Sequence, residues 1–514
     1  MTEVSMIRDF SSDFNTLVQK YPSRIAFIVN ADINPKKVTY SELGSLVNRC
    51  LAFFSQQTWS RERVILSLMP NTLETIVIFL AAMKGGYGFA PLPCTATKRE
   101  IERWGKLISP SICVGSRLIS DEIGDLMTNQ GCDFFALNTD TLFDWLPETE
   151  LDSSPSMSSR LYLATSGSTG DPKAIVLDAN RLWSSGCAFM HFHGQDQHEL
   201  CFWNYLPMSY LGGLFNLALI PLCIGATTVI DEPFSGKTFL RFWQTVQRFD
   251  ISAIWLVPSI VKGLLKLAER STSNELKQLG KSIRLTFLGT APMALAYKQK
   301  FEDIFGLQLL ENFALSETTF FSTETAQNCT NRIEGGVGEL LPYIDLKCVR
   351  VEDDETGEIV SEICVKSPFL FLGYLQSDGS LSASCDENGY FSTGDLGHLN
   401  DRGTLVIDGR KRDIIKKGGY FVSLREIELL AEKHPSVEEA AAVKVSHEFY
   451  GETFILYVIP KDKGEGCVDL QGLNKHIHEQ LVSYKWPEKI VVKDEFPRTA
   501  SGKVRKHMLG ETRG

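Results

Sequence analysis

Apolar and polar positions in this chain switch repeatedly between helical and strand spacing, a pattern that predicts a layered α/β fold. Residues 13–21 read as a short amphipathic helix and residues 24–30 as a strand. Residues 40–57 have helical spacing, with Ser41 as N-cap and Glu42 close behind. Residues 64–69 form a short apolar run ending at Pro70 and Asn71, and a helix over 72–84 then closes at Gly85 and Gly86. The rhythm returns with strands at 199–207, 227–230, 253–257 and 284–288, separated by helices at 211–223, 238–249 and 259–270. Strands alternating with helices predict a parallel sheet covered on its faces. Between 333 and 377 the runs shorten and alternate (345–351 and 357–365), which predicts an antiparallel β portion.

At 514 residues the chain exceeds what one core supports, so at least two domains are expected. A hydrophobic content of 43% and a charged content of 22% describe an ordinary globular protein. The net charge of −11 argues against a nucleic-acid partner, which wants a basic face. Twelve cysteines run from Cys50 to Cys467 without a CxxC pair, and many sit in apolar runs, as reduced thiols of the cytosol do. No leader pattern opens the chain, and the most apolar stretch, 215–230, is too short and too mixed to cross a bilayer. These features predict a cytoplasmic protein acting on something small. Near Gly409 the character changes: GRKRDIIKKGG is dense in lysine and arginine, and a compact αβ pattern follows. The domain boundary is placed between Lys411 and Arg412.

The stretch Leu161 to Lys173 reads LYLATSGSTGDPK, an apolar β-prone run feeding a hydroxyl-rich loop. Gly167 and Gly170 allow sharp turns that expose consecutive N–H groups; Thr165, Ser166, Ser168 and Thr169 add hydroxyl donors, and Lys173 adds charge. Such a loop suits phosphate oxygens, although it is not GxxxxGK[ST]. Six further segments accompany it: Leu206-Pro207-Met208, Gly289-Thr290-Ala291-Pro292, Asn312-Phe313-Ala314-Leu315-Ser316-Glu317, Tyr390 to Asp395, Gly409 to Glu428, and Pro497 to Lys503.

In order and spacing these seven segments resemble the adenylate-forming superfamily of acyl- and aryl-CoA synthetases, peptide-synthetase adenylation domains and firefly luciferase. The resemblance spans nearly the whole chain. It implies a large N-terminal domain (1–411) of parallel-rich sheets with helices plus a β portion, and a small mobile α+β C-terminal domain (412–514). It implies ATP, Mg²⁺ and CoA as cofactors, or the phosphopantetheine of a carrier protein in place of CoA. The implied reaction joins a carboxylate to the α-phosphate of ATP, releases pyrophosphate, and passes the acyl group to a thiol with release of AMP.

Carried over position by position, the loop Thr165–Lys173 would hold the β- and γ-phosphates. Ser316 would contact the α-phosphate and Glu317 would hold the magnesium, although serine followed by an acid also reads as a helix N-cap. Asp395 and Arg410 match ribose contacts. Phe313 replaces a more usual tyrosine against adenine, flanked by Asn312 and Ala314. Gly289, Thr290, Ala291 and Pro292 would run along the adenine and acyl pocket. Lys503 matches the catalytic lysine, whose ammonium offsets the repulsion between carboxylate and phosphate. Arg412 stands at the hinge, and Lys416, Gly418 and Gly419 belong to a loop that would line the thiol tunnel after domain rotation.

The departures concern the substrate. Ala314 replaces a common glycine and adds a methyl at the pocket wall; Ala174 and Leu424 replace a glycine and a proline away from any charge. Tyr210 stands where amino-acid-activating domains carry an aspartate that pairs with the substrate's ammonium, so α-amino acids are disfavoured. The expected substrate is an aryl, hydroxy or short to medium acyl acid, with Tyr210, Gly289 and Ala314 at its pocket. His191 and His193 form an MHFHG segment without a visible metal-ligand set, so a surface or pocket-lining role is expected. Tyr484 to Pro487 look like acyl- and aryl-CoA ligases, and no carrier segment is expected after Lys503, in a monomer or homodimer. The alternative is an enzyme loading an acyl carrier protein in trans. A luciferase-like oxygenase and a non-catalytic nucleotide-binding module are the other readings, the latter opposed by Glu317, Asp395 and Lys503 standing together.

Overall fold

The computed structural model describes residues 6–510 apart from 30–33, 60, 118, 120, 139–142, 153–157, 166–172, 196–198, 269–272, 292, 353–358, 383–384, 418–419, 462–467 and 499–502. Helices begin where a short polar side chain can satisfy the first free N–H groups. Thr39 accepts from the Glu42 N–H while the Glu42 carboxylate returns to the Thr39 N–H, so Thr39, rather than Ser41, caps Tyr40–Ser55. Thr72 caps Leu73–Gly85, and Gly86 ends that helix in the left-handed region with φ 69°. This helix is buried along its length.

The largest sheet has thirteen strands among the described residues. Its parallel half runs Leu310–Leu315, Leu285–Leu288, Ala253–Leu256, Cys201–Asn204, Thr227–Ile230 and Ile25–Val29, with Lys36–Thr39 closing the edge antiparallel. The other half is antiparallel: Thr319–Thr323, Gly336–Leu340, Thr404–Arg410, Phe391–Leu399, Ile359–Lys366 and Asp345–Glu352. A second sheet places Asp133–Leu137, Pro110–Ser116, Glu62–Leu68, Gly88–Pro91 and Arg160–Thr165 parallel, then Lys173–Asp178, Gly373–Leu375 and Leu381–Ser382 antiparallel. A third, small sheet (Tyr420–Ser423, Ile414–Lys417, Gly451–Pro460, Val437–His447 and Lys489–Val492) packs on helices Leu424–Glu432 and Leu470–Gln480. It has its own apolar core, including Ile415, Val422, Ile427, Phe454 and Leu473.

One predicted helix departs from the expected form. Residues 211–223 divide into a π-helical Gly212–Leu219 and a short α-helical Ile220–Cys223. The Asn204 Nδ2 donates to the Gly213 carbonyl at 2.9 Å, and Pro221 has no N–H to give the preceding turn. Gly213 also has no room for a side chain, because a Cβ there would lie 2.3 Å from the Leu206 carbonyl oxygen.

The hairpin Leu310–Thr323 joins the parallel and antiparallel halves, and charge pins its open end. The Lys298 Nζ sits 2.5 Å from the Glu311 Oε2 and 3.3 Å from the Glu324 Oε1, with all three side chains at most 5% exposed. Arg332 reaches Glu324 and Glu302, both at 2.8 Å. Burial works to strip Lys298 of its proton, but the two carboxylates outweigh it and hold the ammonium above its ordinary pKa. Lys298→Met leaves both carboxylates buried without that cation, and urea unfolding is expected to show a loss of roughly 3–5 kcal/mol. Adding Glu311→Gln to it should recover most of the loss. A single variant as stable as the parent would show that the ion cluster does not hold the hairpin.

Candidate active site

The turn of that hairpin, Ser316 to Thr318, is where several predicted residues meet. Ser316 and Glu317 lie in a β-turn and not at a helix start. The Thr318 Oγ1 accepts from the Leu315 N–H at 3.3 Å, and Thr319 follows with φ 57°, a left-handed conformation unusual for threonine. The Ser185 hydroxyl donates to the Thr319 Oγ1 at 2.6 Å, which holds the strained residue against the helix Ala179–Phe192.

Glu317 is gripped from the second sheet. The Phe371 N–H donates to its carbonyl at 2.8 Å, and the Tyr374 hydroxyl donates to its Oε1 at 2.9 Å. Burial, joined by the Glu317 charge, pushes the Tyr374 hydroxyl's pKa up. Tyr374 belongs to the strand that pairs with Lys173–Asp178, through Ile175. Thr165 and Lys173 are themselves cross-strand partners at the ends of the two strands that flank the predicted phosphate loop. Ser166, Gly167, Ser168, Thr169 and Gly170 lie outside the described residues, as do the side chains of Thr165 and Lys173.

Tyr210 approaches the same turn from the start of the π-helical segment. Burial raises its hydroxyl's pKa, the Glu317 charge adds to that, and a side-chain hydrogen bond with Ser316 works the other way. Tyr210, Ser316, Glu317 and Tyr374 therefore form one polar cluster. Tyr374 had no sequence signal, because its partner lies 57 positions away.

Asp395 and Arg410 are cross-strand partners, with the Arg410 Nε 2.8 Å from the Asp395 Oδ1. The carboxylate is buried at the base and the guanidinium is 35% exposed at the rim. The Asp395 N–H donates to the Thr393 Oγ1 at 3.0 Å, which fixes the strand under the pair.

Gly289, Thr290 and Ala291 continue from the strand Leu285–Leu288, and Pro292 lies outside the described residues. The glycine is needed for close approach: a Cβ on Gly289 would meet the Asn312 Oδ1 at 2.7 Å. Thr290 adopts φ 76°. Phe313 is half-buried, its ring edge-on to Phe321 at 4.9 Å, and Ala314 is exposed.

The segment carrying Lys503 folds back on itself. Arg498 and Val504 form an antiparallel bridge, and the Arg505 N–H donates to the Pro497 carbonyl at 2.7 Å. Arg498 also lines a cavity of about 330 Å³ that includes Tyr210 and Thr290 in its wall, so the C-terminal segment reaches the same place as the hairpin turn. Lys503 itself is half-buried. Lys416 lies on the small sheet, where its N–H donates to Glu452 at 2.8 Å, while Gly418 and Gly419 lie outside the described residues. Arg412 falls in the single 3₁₀ turn Lys411–Asp413, and its side chain is likewise outside them.

His193 packs among Phe189, Phe192 and Phe287 and bonds the Thr323 hydroxyl at 3.2 Å. Burial pushes its pKa down to about 4. Among the described residues no group of three or more His, Cys, Asp or Glu side chains gathers as a metal cage, and no helix is long and apolar enough to cross a membrane.

The family model for AMP-binding enzymes matches residues 14–375, and that for the AMP-binding enzyme C-terminal domain matches 426–503. The chain is 26% identical to an oxalate–CoA ligase of Arabidopsis thaliana over 96% of each protein. It is 29% identical to a malonate–CoA ligase of the same plant, over 68% of this chain and 60% of the relative. The ATP-bound structure of MatB from Rhodopseudomonas palustris superposes with a TM-score of 0.85 at 25% identity, covering 98% of both chains. With one model matching well over half its length, the chain belongs to the AMP-binding enzyme family, as an adenylate-forming enzyme of the acyl-CoA-ligase type.

Proposed function

We propose that the protein condenses a small carboxylic acid with ATP to an acyl-adenylate and then transfers the acyl group to the thiol of CoA. The observation that carries this reading is the polar cluster of Tyr210, Ser316, Glu317 and Tyr374, adjoining the cavity that the Lys503-bearing segment reaches through Arg498. In the first step a carboxylate oxygen attacks the α-phosphorus, a P–O bond forms, and the bond to pyrophosphate breaks. Anion meets polyanion, so the developing charge needs cations and donors already in place. Lys503 supplies the ammonium and Ser316 the hydroxyl at the α-phosphate.

The residues fit the nucleotide on chemistry. The half-buried Phe313 offers a ring face to a base, and Asp395 with Arg410 offers an acceptor and donors to a ribose. Glu317 is an oxygen ligand suited to Mg²⁺, with Tyr374 fixing one of its oxygens. Bound there, a magnesium ion would supply charge to offset that of the phosphates. In the second step a thiolate attacks the acyl carbon and AMP leaves. The 330 Å³ cavity has an apolar wall of Phe234, Phe239, Val257 and Ile260 with the Ser235 and Ser259 hydroxyls, a lining suited to the arm of CoA. Residues 412–514 act as a unit that turns about Arg412, a reading supported by the separate core of the small sheet. The CoA ligases among its relatives favour CoA over a carrier protein as acceptor.

Lys503→Ala is expected to lower acid-dependent ATP–pyrophosphate exchange by about 10²–10³-fold while ATP binding by calorimetry changes little. Exchange at the parental rate would remove Lys503 from the chemistry and with it the main support for this mechanism. Asp395→Asn should raise the KM for ATP about tenfold or more, with the KM for the acid unchanged. If both KM values move together, the Asp395–Arg410 pair serves the fold and not the ribose.

A further inference from the structure

Trp255, Thr290 and Asn312, the neighbours of Gly289, each carry a polar side-chain atom with no hydrogen-bond partner among the described residues. The Trp255 Nε1, the Thr290 Oγ1 and the Asn312 Nδ2 are all buried and unsatisfied. A Cβ on Gly289 would lie 3.3 Å from the Trp255 Nε1 and 2.7 Å from the Asn312 Oδ1, so the indole N–H and the amide oxygen look onto the same point. Trp255 is fully buried, and Thr290 is the residue that follows Gly289. The three elements are adjacent parallel strands: Leu256 pairs with Leu288, and Leu288 with Glu311. Their carboxyl ends are where open parallel sheets take ligands.

An indole N–H can only donate, and the threonine hydroxyl and asparagine NH₂ can both donate. Each of these three donors lacks an acceptor, and a buried donor left unmade is unfavourable. The base is an unsuitable candidate for it. Successive side chains on a strand point to opposite faces, so a base stacked on Phe313 lies on the other side of the strand from Asn312. The remaining ligand that must approach Ser316 and Glu317 is the acid.

The floor beneath this point is closed by aromatic rings. Trp255 lies 4.5 Å from Phe287 and 5.4 Å from Phe320, and Phe320 lies 4.3 Å from Phe189 and 5.8 Å from Phe215. All five rings are buried, so nothing long enters past them. Resting on the acid-activation reading above, we propose that the pocket at Gly289 selects a short carboxylic acid carrying a second oxygen acceptor. The Trp255 Nε1 donates to that acceptor, Thr290 and Asn312 complete its shell, and Phe320 sets the length limit. Hydroxy, oxo and dicarboxylic acids share this chemistry.

The test is ATP–pyrophosphate exchange on shape-matched pairs: glycolate against propionate, malonate against 3-methylbutyrate, with benzoate and hexanoate as long and aryl probes. The acceptor-bearing member of at least one pair should be favoured by about tenfold or more in kcat/KM. Trp255→Phe, which keeps the aromatic floor, should erase that preference and leave the KM for ATP within about twofold. Phe320→Ala should admit hexanoate, a gain of activity that a folding defect does not produce. Should Trp255→Phe not fold, Thr290→Val carries the acid comparison alone, and loss of the preference is read from the acid pairs. Absence of that preference in both pairs, or preference for benzoate over every acceptor-bearing acid, in the parent overturns the proposal alone. So does a KM for ATP that rises with Trp255→Phe, because the donors would then read the nucleotide. Failure of every acid to support exchange, with ATP still bound, overturns the adenylation reading and this proposal together.

Discussion

A buried ammonium between two carboxylates fixes the geometry on which the site depends. Lys298 ties Glu311, at the base of one hairpin strand, to Glu324, just beyond the other. The Glu311 N–H also donates to the Glu324 Oε2 at 2.9 Å, so the backbone and the charges close the same end. With that end closed, the strand pair projects Ser316 and Glu317 from its far end, and Asn312 follows Glu311 directly. Desolvation makes such a cluster costly to assemble and costlier to break in part. It gives few alternative registers to the one hairpin that joins the parallel and antiparallel halves of the large sheet.

The second constraint is that the site spans two sheets. Glu317 comes from the large sheet, and the groups that hold it, the Phe371 N–H and the Tyr374 hydroxyl, come from the segment entering the second sheet. The strand carrying Tyr374 pairs with the strand that opens at Lys173, at the end of the predicted phosphate loop. A shift of one sheet against the other would move Glu317 and the strand that opens at Lys173 together through this connection. Asp395 and Arg410 gain their proximity differently, as opposite residues in one antiparallel register. They lie on consecutive strands of one hairpin, and the ladder sets their ion pair without any long loop having to be placed.

Much of this is legible from periodicity. It places the strand at 227–230 to the residue, and those at 253–257 and 284–288 to within one, because buried parallel strands are short apolar runs between clear turns. It points to Ser41 where Thr39 is the cap, because both are hydroxyl residues and only the reciprocal bond with Glu42 decides between them. The π-helical turn is invisible to it, because Asn204 reaches the Gly213 carbonyl from outside the segment. Motif order brings Ser316, Glu317, Asp395 and Arg410 to notice as separate residues, but not the contacts between them. Tyr374 and Trp255 carry no local signal, since one acts on a partner 57 positions away and the other through a donor aimed at the end of a neighbouring strand.

The two proposed half-reactions ask opposite things of one place. Adenylation wants positive charge at the α-phosphate, whereas thiol transfer wants an unobstructed, mostly apolar approach to the acyl carbon. A cation fixed on the large sheets would serve the first step and obstruct the second. Lys503 instead lies beyond the small sheet, in a segment whose apolar contacts are largely its own: Phe496, Val504 and Leu509 pack with Ala441 and Tyr457. Among the described residues, the Lys262 Nζ and the Tyr297 hydroxyl each reach the Glu438 backbone carbonyl of this unit at 3.4 Å. Bonds of that length to a main-chain acceptor are weak and tolerant of exchange. In the proposed mechanism the ion cluster under the hairpin would hold the reacting centre still, and the seam under Lys503 would let its cation leave.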